Sequence, residues 1–214
     1  MKPIVIAIAK GRIQDELVPL MQKIGIVPEP AFFDNGERQL QFAVNNSNIS
    51  IIRVRSFDVP TFVAFGAAHL GVAGSDVLME FDYPDLYTPL DLNIGHCRLS
   101  LAAPENIDND NSMLRASHIR VATKYPNITN RYFADRGIQA ECIKLSGAME
   151  LAPKLGLAPY IVDLVSSGRT LVANGLKEVE VIAKVSSRLI VNRAAFKTQN
   201  KELSGIIDKF HKVL

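Results

Sequence analysis

Between Tyr160 and Val165 the chain carries a short, β-branched apolar run interrupted only by Asp163, and Ser166-Ser167-Gly168 follows at once. A run this short and this branched reads as a buried parallel strand rather than a helix. Arg169-Thr170-Leu171-Val172-Ala173 then opens a short helix, which Gly175 can end in the left-handed conformation. Strand, small polar turn and helix start together make an anion site. The turn's N–H groups are left without partners, and the helix dipole adds partial positive charge. Ser166, Ser167 and Thr170 supply hydroxyl donors, with Gly168 and Arg169 between them. For a Ser/Gly turn alone, an ordinary strand-turn-helix with a capping Ser or Thr is the better reading. Asp163 separates the two readings, because a carboxylate in an apolar strand needs partners. Near the strand's carboxyl end it can accept hydrogen bonds from sugar hydroxyls, so a phosphorylated ribose is the ligand this stretch predicts.

Whatever surrounds that stretch has material for a real core, since 48% of the 214 residues are hydrophobic. The net charge of +2 gives no bulk attraction to nucleic acid or anionic membrane. No apolar run approaches a membrane span, and Met1-Lys2-Pro3-Ile4 leads directly into a strand with no secretory signal. Cys97 and Cys142 stand far apart, which predicts a reduced, cytoplasmic setting. His69, His96, His118 and His211 lack metal-ligand spacing, so no protein metal site is expected.

The same strand-turn-helix grammar recurs along the chain. Ile4 to Ala9 reads as a buried strand, Lys10-Gly11-Arg12 as its loop, and Ile13, Leu17, Leu20 or Met21, and Ile24 as one helix face ended by Gly25. The segment alone does not distinguish an anion loop from solvated surface charges. Leu40 to Val44 and Ile49 to Val54 flank a polar turn and predict a hairpin. Arg53 and Arg55 alternate with Val54 and are expected on one face. One is expected to be paired or solvent-facing. Arg55, at the strand's end, is placed to grip a phosphate in two-pronged fashion. Asp58 is expected to cap the next helix, with Pro60 in its first turn. Leu70 to Ala73 reads as a strand closed by Gly74-Ser75-Asp76, and Phe81 to Leu92 as a Pro- and Asp-rich loop.

A second unit begins at the strand Leu99 to Ala103, followed by a turn over Asn106 to Ser112. A strand Ile119 to Ala122 runs into Thr123-Lys124-Tyr125-Pro126-Asn127, then a helix from Ile128 to Arg136 stopped by Gly137. Glu141 to Lys144 is a strand, Ser146-Gly147-Ala148 a turn, and Glu150 lies in a helix ending at Gly156. After the phosphate stretch come strands over Val179 to Val185 and Arg188 to Asn192, and an amphipathic helix from Lys201 to Val213. This alternation is α/β. The expected division is a discontinuous first lobe, 1–92 plus 184–214, and a second lobe, 93–183, with a ligand cleft between them.

Neither GxxxxGK[ST], GxGxxG nor GxSxG occurs. An inventory of amides, hydroxyls, arginines and one carboxylate suits a reaction without a covalent enzyme intermediate, driven by positioning and charge neutralisation.

Taken together, Lys10-Gly11-Arg12, Arg53-Val54-Arg55 with Asp58-Val59-Pro60, Gly71 to Asp76, Ala122 to Asn127, Leu145-Ser146-Gly147 with Glu150 to Pro153, and Asp163 to Leu171 with Ala173-Asn174-Gly175 resemble the short-form ATP phosphoribosyltransferases, which open histidine biosynthesis. The motifs span most of the chain in the family's order. Pro159 departs from the Asp common there.

The resemblance implies a two-lobed fold like the type II periplasmic binding proteins. It implies attack by N1 of ATP on C1 of phosphoribosyl pyrophosphate, with inversion, release of pyrophosphate and a requirement for Mg2+ held mainly by substrate phosphates. By resemblance, Arg55 and Asp163 are the catalytic candidates. Lys10, Gly11, Arg12, Arg53, Gly74, Asp76, Lys124, Glu150, Ser166, Ser167, Gly168, Arg169 and Thr170 are the substrate-binding ones. Two other classes share parts of the pattern. A nucleobase-salvage phosphoribosyltransferase has a similar ribose-phosphate loop but usually two adjacent acids, where Val162 precedes Asp163 here. A solute-binding protein shares the fold, but the cationic loops argue for an enzyme. Because the two lobes consume Met1 to Leu214, the isolated chain is expected to be insensitive to histidine. The resemblance implies catalytic homodimers within a hetero-oligomer, regulated by a homologue of histidyl-tRNA synthetase.

Overall fold

A computed structural model describes residues 3–34, 36–45, 47–107 and 117–214. The chain divides into two compact units, Met1–Gly95 with Ser186–Leu214, and His96–Val185.

The first unit is built on β1 (Ile4–Ala9), whose residues are almost all buried. β3 (Ile49–Val54) and β4 (Leu70–Gly74) flank it in parallel, and with β2 (Gln41–Ala43), β5 (Leu86–Asp91) and β11 (Ser187–Asn192) the sheet order is β2-β3-β1-β4-β11-β5. β2 (Gln41–Ala43) forms the expected hairpin with β3, its connecting Asn46 lying outside the described residues. α1 (Arg12–Lys23) buries Leu17 and Met21 and passes through Ile24 to Gly25 at φ 80°. Leu17 and Met21 pack with Phe32, Phe42 and Ile51. A fully buried leucine contributes roughly 1.5–3 kcal/mol relative to exposure. α2 (Val59–Ala64) lies flush on the sheet because Gly71 has no side chain. A Cβ there would stand 2.8 Å from Val63 Cγ2 and 2.9 Å from Val59 Cγ1. α3 is Ser75–Phe81, and α8 (Asn200–His211) turns Leu203, Ile206 and Phe210 into the same core as α1.

Four local expectations change. Leu86–Asp91, expected as loop, is edge strand β5, antiparallel to β11 (Ser187–Asn192). Its register shifts between Leu189 and Val191, so Thr88 and Pro89 fall in the irregularity, where a proline without an N–H is tolerated. Asp58 precedes α2 but makes no side-chain capping bond. An unanticipated helix, α7 (Arg193–Thr198), is capped by Asn192. That side chain accepts the Ala195 N–H at 2.7 Å and donates to the carbonyls of Val63 and Ala64. A short 3₁₀ turn at Pro30–Phe33 is likewise additional.

The second unit has sheet order β10-β6-β9-β7-β8. Its strands are β6 (Cys97–Pro104), β7 (His118–Thr123), β8 (Gln139–Lys144), β9 (Tyr160–Val165) and β10 (Leu176–Val185). Of the expected turn at 106–112, residues 108–112 lie outside the described residues. The helices are α4 (Pro126–Ala134), α5 (Leu151–Lys154) and α6 (Arg169–Ala173). β9 is parallel to β7 but antiparallel to β6, so the purely parallel setting expected for it holds on one side only. Ile161, Val165, Leu171 and Leu176 join Ala122, Met149 and Ala152 in this unit's core, anchoring both ends of the Ser166–Gly168 turn.

Candidate active site

In the second unit, β7 and β9 pair Thr123 with Val162. Lys124 and Asp163 are the next residues of these parallel neighbours, so they reach one carboxyl edge at the same level. Thr123 fixes that level: its buried hydroxyl donates to the Val162 carbonyl at 2.8 Å and accepts the Tyr125 N–H at 2.9 Å. The motif that contains Thr123 gives no sign of this bond. Asp163 is half-buried rather than enclosed, and its Oδ1 accepts the Leu164 N–H at 2.8 Å. The adjoining Leu164, on the other face of the strand, is 38% exposed.

The turn then presents Ser166, Ser167, Arg169 and Thr170 as exposed residues. Gly168 holds φ 77°, left-handed geometry that costs an L side chain about 1–2 kcal/mol. Ser167 Oγ accepts from the backbone N–H of Arg169 at 3.5 Å and from its Nε at 3.3 Å, so part of Arg169's guanidinium is spent inside the turn. A cavity of about 570 Å³ adjoins this segment, lined by Ser167, Gly168 and Arg169 together with Arg98, Lys177 and Glu178. Glu150 is half-buried at the start of α5.

Sequence reasoning missed the group beneath the turn. Arg98 on β6 donates from Nε to Glu178 Oε1 at 2.5 Å and from Nη2 to Oε2 at 2.6 Å, a two-pronged pair with β10. Ser100, buried on β6, donates to the same Oε1 at 2.6 Å. The third prong of Arg98, Nη1, donates to the Ser166 carbonyl at 3.0 Å. The hydrogen bond from Arg98, assisted by that from Ser100, holds the Glu178 carboxyl below its ordinary range against partial desolvation, and the same bond raises Arg98. With the partners 80 positions apart, no local motif announces them.

In the first unit, β1 lies between β3 and β4, with Ala9 opposite Val54 and Ala7 opposite Gly71. Lys10, Arg55 and Gly74 therefore leave three adjacent parallel strands at one level. Lys10, Gly11 and Arg12 are exposed, and Gly11 sits at φ 109°. Arg12 Nε stands 3.4 Å from Glu16 Oε1, a half-exposed pair worth about 0.5 kcal/mol. Arg55 is exposed, and its carbonyl accepts the N–H groups of Asp58 and Val59.

Arg53 is different from its neighbour and from expectation. β3 ends at Val54, so the alternation predicted to put both arginines on one face stops before Arg55. Arg53 is buried, its guanidinium 4.7 Å from the Phe42 ring centroid and donating to the carbonyls of Phe32, Glu37 and Gln39. It braces the loop that precedes β2 rather than facing a ligand. Asp76 is also buried, and its Oδ1 lies 2.1 Å from where a Cβ on Gly74 would be. That glycine makes room for the carboxylate of its own helix.

These features define an α/β protein whose two units each gather polar and charged groups at the carboxyl edge of parallel strands. The periplasmic aliphatic sulphonate binding protein SsuA of Escherichia coli shares this fold. It has a TM-score of 0.61 at 14% identity, over 99% of this chain and 68% of that one. Residues 55–212 match the family HisG: ATP phosphoribosyltransferase. The Paramagnetospirillum magneticum ATP phosphoribosyltransferase is 66% identical, over 98% of this chain and 95% of that protein. That of Rhizorhabdus wittichii is 62% identical, over 99% and 96%. The ATP phosphoribosyl transferase (HisG:HisZ) complex from Thermotoga maritima contains a chain 31% identical, with a TM-score of 0.82 over 98% of both. The chain belongs to the ATP phosphoribosyltransferase family, and the nucleobase-salvage and solute-binding alternatives give way to it.

Proposed function

We propose that this chain joins N1 of ATP to C1 of phosphoribosyl pyrophosphate, the opening step of histidine biosynthesis. The N1–C1 bond forms as the C1–O bond breaks, with inversion. The electron pair of the broken bond leaves with pyrophosphate, and the adenine ring system gives up one proton. The observation that carries this reading is Asp163 and the Ser166–Thr170 turn on one strand end, inside the segment that matches the family.

In this mechanism the turn's amides and the hydroxyls of Ser166, Ser167 and Thr170 hold the 5′-phosphate, and Asp163 accepts the ribose hydroxyls. Arg55 meets the pyrophosphate as its charge grows, with Lys10 and Arg12 neutralising pyrophosphate or ATP phosphates from the neighbouring loop. Lys124, level with Asp163, adds a cation on the ribose side, and Glu150 accepts from the nucleotide. Among the described residues, no group of three or more His, Cys, Asp or Glu is placed to cage a metal. The donors at the two edges suit Mg2+ carried on substrate phosphates and water, where it would neutralise the leaving group.

The Thermotoga maritima relative was solved in a HisG:HisZ complex. We extend that arrangement here: a homodimer of this chain as the catalytic core, with a regulatory partner resembling histidyl-tRNA synthetase through which histidine acts. Among the described residues no helix is long and apolar enough to cross a membrane, and a cytoplasmic location fits substrates of this kind.

The test is incubation of the purified chain with ATP, phosphoribosyl pyrophosphate and Mg2+, followed by mass spectrometry. The expected product is the phosphoribosyl-ATP adduct with one pyrophosphate released per adduct. Pyrophosphate release without an adduct would refute the reading.

A further inference from the structure

The turn that binds phosphate in this reading is not held only by its own strand and helix. Its first carbonyl, on Ser166, is drawn to Arg98 Nη1 at 3.0 Å. A trans peptide is planar, and its C=O and N–H point in opposite directions. Holding the Ser166 oxygen toward Arg98 therefore aims the Ser167 N–H to the opposite side. The same bond turns a partial negative charge away from the turn's open side. It also polarises the amide, making its N–H a stronger donor.

Arg98 can do this only if its guanidinium plane is fixed, and the surroundings fix it. Nε and Nη2 are both engaged by Glu178, leaving Nη1 as the prong aimed at Ser166. Glu178 is in turn fixed by the buried Ser100 hydroxyl. The β10 ladder shifts register between Glu178 and Glu180, an irregularity of the kind that re-aims a side chain near a site. Arg98 and Glu178 are respectively 32% and 24% exposed at their side chains, so the pair lies within reach of solvent without being a loose surface contact. Its two charges largely cancel. This arrangement supplies orientation rather than positive charge.

We infer that Arg98, locked by Glu178 and Ser100, is a positioning residue that pre-aims the Ser167 amide toward the 5′-phosphate of the phosphoribosyl substrate. The inference rests on the transferase reading and deepens it. It assigns to the β6–β10 pair a role in selecting one substrate over the other, because ATP does not need this turn in the proposed mechanism.

The experiment compares wild type, Arg98→Lys and Glu178→Gln in three measurements: thermal unfolding, calorimetric affinity for ribose 5-phosphate, and Michaelis constants for each substrate. Lysine keeps the charge but cannot fork to Glu178 while reaching Ser166. Arg98→Lys is expected to weaken ribose 5-phosphate and raise the Michaelis constant for phosphoribosyl pyrophosphate by about tenfold. The constant for ATP should change less than about twofold, with unfolding near that of wild type. Glu178→Gln separates aiming from charge. If Arg98 aims an amide, loosening its partner weakens ribose 5-phosphate severalfold. If Arg98 were itself the anion's ligand, removing the neighbouring negative charge would tighten binding, and that result would overturn the inference. Equal losses for both substrates alongside a lowered unfolding temperature, unchanged constants for both variants, or no ribose 5-phosphate binding by wild type would overturn it as well. Wild-type adduct formation, measured in parallel, reports separately on the transferase reading.

Discussion

The two carboxyl edges are built from opposite materials. That of the first unit offers formal cations, Lys10, Arg12 and Arg55, all exposed. That of the second offers hydroxyls and amides around a left-handed glycine, with Asp163 beside them and the two-pronged ion pair Arg98–Glu178 closed on itself. Under the proposed roles, the difference would match what the two ends of the phosphoribosyl substrate do. The 5′-phosphate carries the same charge before, during and after the reaction. Groups that hold it bind ground state and transition state alike, which lowers a Michaelis constant without raising turnover. The departing pyrophosphate gains charge as its bond breaks, and a cation placed there stabilises the transition state more than the substrate.

Within the first unit, Arg53 and Arg55 provide the sharpest contrast, and the largest expected effect. Arg53→Ala leaves three carbonyls without their charged donor and opens a space against Phe42. It should cost at least about 3 kcal/mol of folding stability in denaturant titration. Arg55→Ala should stay within about 0.5 kcal/mol of wild type. If Arg55→Ala proves the more destabilising, the division between brace and ligand residue fails.

On the other edge, Asp163→Ala should preserve the fold and lower kcat/KM by at least about tenfold, roughly the loss of one charge-assisted hydrogen bond to the ribose. Unchanged steady-state kinetics would remove Asp163 from the site.

That these two edges were legible in the sequence at all follows from how they are made. β1, β9 and α6 are local objects: a branched run, a glycine, a helix start, and their bounds fall where the residues say. Arg53 was harder. Period-two alternation puts residues 53 and 55 together only while the strand lasts, and it ends at Val54. β5 was hidden by Pro89, because a proline reads as loop unless an edge or bulge excuses its missing N–H. The Arg98–Glu178 pair, Thr123's bond to Val162 and the Asn192 cap reaching α2 all join distant parts of the chain, so no local pattern encodes them.

The smallest expected effect concerns pH and belongs to the first unit. His69 Nδ1 accepts the Val5 N–H at 3.0 Å, and burial holds its pKa below the ordinary imidazole value. The folded state then binds a proton less readily than the unfolded chain. Its contribution is complete above the unfolded pKa of about 6.5. It erodes as pH falls from there through the lower folded value, and changes no further below both. In His69→Asn the amide oxygen can accept the same N–H without titrating. Unfolding titrations from pH 7.5 downward should show a shallower loss of stability in that variant, and parallel curves would exclude His69 as the source.

The division of labour between the edges is tested most directly by steady-state kinetics of Arg55→Ala beside Thr170→Val, with phosphoribosyl pyrophosphate varied at saturating ATP. Arg55→Ala is expected to lower kcat by about a hundredfold even when the substrate saturates. Thr170→Val is expected to raise the Michaelis constant by about tenfold with kcat nearly unchanged. A loss confined to the Michaelis constant in Arg55→Ala, with turnover intact, would contradict the account.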